Sequence, residues 1–100
     1  MISASTKSEY NSLDQVREDI DQIDHNIVKL LGQRTQCVKA AARFKKSEKD
    51  VAAPERFVAM LAARREWAES IGVDPDMIEE LYRNLVNRFI EAEKKEWRSR

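Results

Sequence analysis

Residues 13–45 read LDQVREDIDQIDHNIVKLLGQRTQCVKAAARFK. Apolar side chains recur at Leu13, Val16, Ile20, Ile23, Ile27 and Leu30, then at Cys37, Ala41 and Phe44, in steps of three or four. Steps of that size keep returning to one face of a helix with 3.6 residues per turn. Arg34 fills the gap in the stripe between Leu30 and Cys37. A guanidinium keeps its charge, and burying one unpaired costs several kcal/mol, so something anionic should meet it there, either a side chain or a ligand. Upstream, Ser12-Leu13-Asp14-Gln15 has the form of a capping box. The spacing therefore predicts a helix from Ser12 to about Lys46, on the order of 50 Å long.

Downstream of that helix the punctuation is sharper. Ser47-Glu48-Lys49-Asp50-Val51-Ala52-Ala53 carries no sustained stripe and is expected to be a loop. Pro54 suits a first helical turn, with Phe57, Met60, Leu61, Arg64, Trp67 and Ala68 following at helical spacing. Gly72 is a good left-handed terminator for that second helix. Asp74-Pro75 then supplies an N-cap and a first-turn proline for a third helix, which carries Ile78, Leu81, Leu85, Phe89 and Ala92 to about Trp97. With 2 glycines, 2 prolines and no alternating β-branched runs, the class is all-α. Residues 1–11 read as a flexible N-terminal segment and 12–100 as one helical domain. The first helix is too long for a chain of 100 residues to cover by itself. A helical homodimer is the simplest cover.

Composition narrows the function. The 18 basic and 18 acidic side chains balance, and acids intersperse the bases throughout, so nonspecific nucleic-acid binding has no electrostatic drive. One cysteine and one histidine exclude a disulfide framework and argue against a metal site. The polar first dozen residues contain no apolar run fit for a signal peptide or membrane span, so a cytoplasmic protein is expected.

Four polar groups lie on or beside apolar faces: Arg17, Arg34, Lys45 and Glu93. On one straight helix, Lys45 returns to nearly the face of Arg34 about 16 Å along, whereas Arg17 and Lys45 are about 42 Å apart. No small ligand touches both ends of that span. If the long helices of two chains cross antiparallel, Arg17 of one approaches Arg34 or Lys45 of the other, giving two cationic pockets suited to a small dicarboxylate. The alternatives are ordinary ones. An arginine beside a stripe can snorkel or pair with an acid. Lys45 beside Lys46 fits a solvated surface, and Glu93 sits in the charged run Glu91-Ala92-Glu93-Lys94-Lys95-Glu96. Trp67 and Trp97 read as packing residues and His25 as a surface residue.

Three stretches carry a resemblance: Val16-Arg17-Glu18-Asp19-Ile20-Asp21-Gln22-Ile23-Asp24, Leu31-Gly32-Gln33-Arg34, and Val38-Lys39-Ala40-Ala41-Ala42-Arg43-Phe44-Lys45. They resemble the all-α chorismate mutase family over about residues 13–97. Ala53-Pro54-Glu55-Arg56, with Met60 and Trp67-Ala68, is more similar to the isochorismate pyruvate lyases of salicylate synthesis within that family. The resemblance implies an intertwined homodimer of three-helix chains with two active sites and no cofactor. It also implies that Arg17, from the neighbouring chain, Arg34 and Lys45 hold the substrate's carboxylates. Three positions depart from the pattern. Val51 and Pro54 stand where mutases carry an acid and an arginine, and Glu93 stands where the lyases usually carry a glutamine. A glutamine amide donates a hydrogen bond to the substrate's ether oxygen; a glutamate donates only when protonated.

The expected activity is pericyclic conversion of isochorismate to salicylate and pyruvate, with Lys45 and Glu93 at the reacting ether and the 47–53 loop closing over the pocket. Conversion of chorismate to prephenate is the nearest alternative. A non-catalytic helical dimer serving as a binding module is the alternative from another class; it accounts for the stripe but not for three cations at the family's positions.

Overall fold

The computed structural model describes residues 9–99, so the N-terminal segment expected to be flexible falls mostly outside the described residues. Four helices follow one another: α1 (Leu13–Ala42), α2 (Glu48–Ala52), α3 (Pro54–Ile71) and α4 (Pro75–Arg98), with no strand among the described residues. The chain divides into two compact units, Met1–Ala41 and Ala42–Arg100.

The first unit is essentially α1. Ser12 caps it as its sequence suggests, its Oγ accepting from the Gln15 N–H at 3.2 Å. The reciprocal contact is shifted by one residue: Gln15 Oε1 accepts from the Asn11 N–H at 3.0 Å. Tyr10 donates its hydroxyl to Asp19 at 2.8 Å, which ties the chain before the helix to its second turn. No residue of α1 is buried, and Ile20, Ile27 and Leu30 on the apolar stripe stay exposed.

The helix stops earlier than its apolar spacing suggests, at Ala42 rather than Lys46. Local polar groups explain the stop. The Lys45 N–H turns back to the Ala42 carbonyl at 3.2 Å, and the Lys46 N–H donates to Asp50 Oδ2 at 3.0 Å. Ser47 then opens a new helix, its Oγ accepting from the Asp50 N–H at 3.1 Å. The segment expected to be a loop thus contains α2, a single short helix that buries Val51. Phe44, the last apolar residue of the stripe, lies beyond α1 and is exposed.

In the second unit, α2 and α3 both pack against α4. Ala53 joins α2 to α3 in the left-handed region, with φ 40° and ψ 60°. That conformation costs an L-residue about 1–2 kcal/mol and persists only where its surroundings impose it. The α3–α4 turn is built from the residues that announce it. Gly72 adopts φ 77° and the Val73 N–H reaches back to the Ala68 carbonyl at 2.8 Å, closing α3. Asp74 Oδ1 accepts from the Asp76 N–H at 2.9 Å and Pro75 opens α4. Arg65 fastens the hairpin by hydrogen bonds to Asp76 at 2.8 Å and Glu79 at 3.3 Å, and the Asp76 bond holds its guanidinium more firmly protonated.

Among the described residues, those buried are Val51, Met60, Leu61 and Ala68. Trp67, expected to pack, is instead exposed, with the Arg64 guanidinium 4.8 Å from its ring centroid. With so few buried side chains, each carries weight. Leu61→Ala should lower unfolding free energy by about 2–5 kcal/mol, read by urea denaturation at fixed protein concentration. A loss well below 1 kcal/mol would show that Leu61 is not part of the core.

Candidate active site

Lys45 is placed by the end of α1 on one side and the start of α2 on the other. It follows Ala42 by one turn's backbone hydrogen bond and precedes the Ser47 cap. The register argument that put it on the α1 face therefore does not hold; Lys45 lies three residues past the helix. What faces it is Glu93 of α4. Lys45 Nζ stands 3.8 Å from Glu93 Oε2, with the two side chains 24% and 16% exposed.

That separation is an ion pair but longer than a hydrogen bond. Glu93 Oε2 is closed off from solvent and accepts no hydrogen bond among the described residues. Leaving a buried polar atom unsatisfied costs on the order of 1–3 kcal/mol. Such an oxygen has room to accept a further donor. A cation and a carboxyl, both largely sheltered from water and not locked onto each other, can together serve an atom that gains negative charge.

Arg17 is exposed in the second turn of α1, and Arg34 is half-buried near its C-terminal end. They are 17 residues apart on the same helix, hence about 26 Å along its axis, and do not converge. Val51 and Pro54 have roles of their own. Val51 is core and Pro54 opens α3, so neither supplies a polar contact. His25 is exposed, as its sequence context suggests.

A separate cleft of about 450 Å³ lies between α3 and the first half of α4, lined by Pro54, Phe57, Val58, Leu61, Arg65 and Arg83 among others. Its arginines are already paired with Asp76 and Glu79, so it offers no charge for an anion. Among the described residues no group of three His, Cys, Asp or Glu side chains is placed to hold a metal. No helix there is long and apolar enough to cross a membrane.

One contact near Lys45 was not legible from spacing. Glu48 of α2 pairs with Arg98 at the end of α4, and Glu48 Oε1 is sealed from solvent there. The signal available for α2 was Ser47-Glu48-Lys49-Asp50, a serine followed three residues later by an acid.

The profile of chorismate mutase type II matches residues 16–94, a stretch that takes in Arg17, Arg34, Lys45 and Glu93. The chain belongs to the chorismate mutase type II family. This is a family of enzymes, and an all-helical chain of three long helices and one short one agrees with it. Among curated relatives of this chorismate mutase type II chain is the isochorismate pyruvate lyase of Pseudomonas aeruginosa. It is 44% identical over 93 residues, covering 93% of this chain and 92% of that protein. The T-protein of Enterobacter agglomerans is 34% identical over 82 residues, and that of Haemophilus influenzae 34% over 76. This chain spans only 22% and 20% of those two proteins, against 81% and 75% of its own length.

Proposed function

We propose that this chorismate mutase type II chain is an isochorismate pyruvate lyase. The observation that carries the choice is the 44% identity to a lyase of nearly equal length, maintained over 93 residues. The Lys45–Glu93 arrangement supplies the chemistry. In the reaction, the ring–oxygen bond of the enolpyruvyl ether breaks as a ring hydrogen moves to the side chain's methylene carbon. The ether oxygen becomes the ketone oxygen of pyruvate, and the ring becomes aromatic as salicylate. Atoms balance without water, nucleophile, metal or cofactor.

The protein's task is to hold the side chain over the ring and to stabilise negative charge growing on the ether oxygen. Lys45 does the second, and Arg34 grips a carboxylate. Arg17 completes the pocket from a neighbouring chain. The homodimer rests on two observations: the apolar stripe of α1 has no buried residue, and Arg17 and Arg34 are about 26 Å apart on one helix. Glu93 aligns Lys45 when ionised and donates to the ether oxygen when protonated.

The test is turnover on isochorismate and chorismate in parallel from pH 5 to 8. Salicylate and pyruvate as the main products support the lyase; prephenate with little salicylate makes the chain a mutase, the reading that the family's own name and the glutamate at position 93 favour. Glu93→Gln supplies a donor that needs no proton. A group that must be protonated loses activity about ten-fold per pH unit once it ionises. If Glu93 acts as the protonated donor, Glu93→Gln is expected to remove the parent's fall in turnover between pH 5 and pH 8. An unchanged pH profile would show that Glu93 acts only as a carboxylate partner of Lys45.

A further inference from the structure

Lys45 is not part of a helix, yet it must stand at a fixed place if it faces a reacting oxygen. Its backbone is held on one side by the Ala42 carbonyl. On the other side it leads into α2, and a helix of 5 residues has no stability of its own. Two contacts hold α2 in place. Val51 is buried, and Glu48 pairs with Arg98 in the last turn of α4. Both ion pairs of this strap thus go to α4: Lys45 to Glu93 and Glu48 to Arg98. Their polarities are opposite. Sliding the strap along α4 until Lys45 meets Arg98, or Glu48 meets Glu93, sets like charges against each other. Ala53, at φ 40°, joins the strap to α3.

We propose that Glu48 and Arg98 are positioning residues that set Lys45 against Glu93, forming a latch on the strap between α1 and α3. The inference rests on the reading that Lys45 works on the substrate. Neither Glu48 nor Arg98 touches the substrate; they determine how often Lys45 is in place when it binds. A substrate carboxylate or ether oxygen that engages Lys45 draws the strap down, so loss of the latch appears in KM rather than in kcat.

The test uses Arg98→Ala, Glu48→Gln and the exchanged pair Glu48→Arg with Arg98→Glu. An exposed ion pair contributes up to a factor of about five. That factor divides between binding and exposure of Lys45, so each single variant is expected to raise KM about two-fold with kcat unchanged, and the exchanged pair to restore KM at least in part. A second reading is independent of turnover: acetylation of Lys45 by acetic anhydride, followed by mass spectrometry, should quicken about two-fold in the single variants and slow again in the exchanged pair. Unchanged Lys45 acetylation in Arg98→Ala overturns the latch, whatever the enzyme's activity. Acetylation only about two-fold faster with unchanged KM retains the latch but removes Lys45 from the substrate site, which separates failure of the proposed function from failure of this inference.

Discussion

Lys45→Ala should lower turnover of isochorismate by about 10²- to 10³-fold while the protein remains folded. Removing one donor aimed at a developing oxyanion in a water-poor site costs on that order. Lys45 qualifies because its ammonium is largely sheltered, stands 3.8 Å from Glu93 Oε2, and is not spent in a hydrogen bond to it. Stability should change little, since Lys45 contributes neither to the buried residues Val51, Met60, Leu61 and Ala68 nor to the caps of α2 and α3. Thermal melting and circular dichroism verify the fold, and single-turnover measurement verifies the chemistry. Lys45→Arg should recover only part of the loss, because a planar fork replaces a compact charge. Turnover within three-fold of the parent in a folded Lys45→Ala protein would remove Lys45 from the mechanism.

The second large effect is a regain of activity on mixing. Arg17→Ala and Lys45→Ala are each expected to be nearly inactive as homodimers. If Arg17 enters the site of the neighbouring chain, a mixed dimer has one site with both substitutions and one with neither. Unfolding the two variants together and refolding them in equal amounts then gives half mixed dimers, each with one intact site, and about a quarter of parental activity. If all the cations come from one chain, no site is whole and nothing returns. The positions of Arg17 and Arg34, about 26 Å apart on a helix with no buried residue, lead to the first outcome.

These expectations draw unequally on the sequence. The bounds of α3 and α4 were legible because their ends are covalently marked: Pro54 has no N–H to leave unsatisfied, Gly72 takes a positive φ freely, and Asp74-Pro75 caps and starts the last helix. The end of α1 was not. Apolar spacing ran on to Phe44, but Asp50 and Ser47 compete for the backbone at Lys46 and Asp50 and begin α2 instead. Side-chain hydrogen bonds of that kind are decided by a few tenths of an ångström, and hydrophobic periodicity carries no trace of them. Trp67 fared similarly: it is exposed with the Arg64 guanidinium over its ring, a placement that apolar spacing does not mark.

The candidate site was legible only in part. Arg34 stood out as a charge on an apolar stripe, and Arg17 and Lys45 followed from spacing and family likeness. Spacing gave Lys45 the wrong support, α1 instead of the strap before α2. Its proximity to Glu93 joins residues 48 positions apart, a distance that no local pattern spans. The Glu48–Arg98 pair is of the same long-range kind.

The most direct measurement follows one hydrogen. Isochorismate deuterated at the ring carbon that loses hydrogen should give pyruvate with deuterium in its methyl group, because a pericyclic step carries that atom from ring to side chain without releasing it. Pyruvate free of deuterium, with the label lost to water, would mean that a protein base removes the hydrogen, and would contradict a site that works by positioning and charge alone.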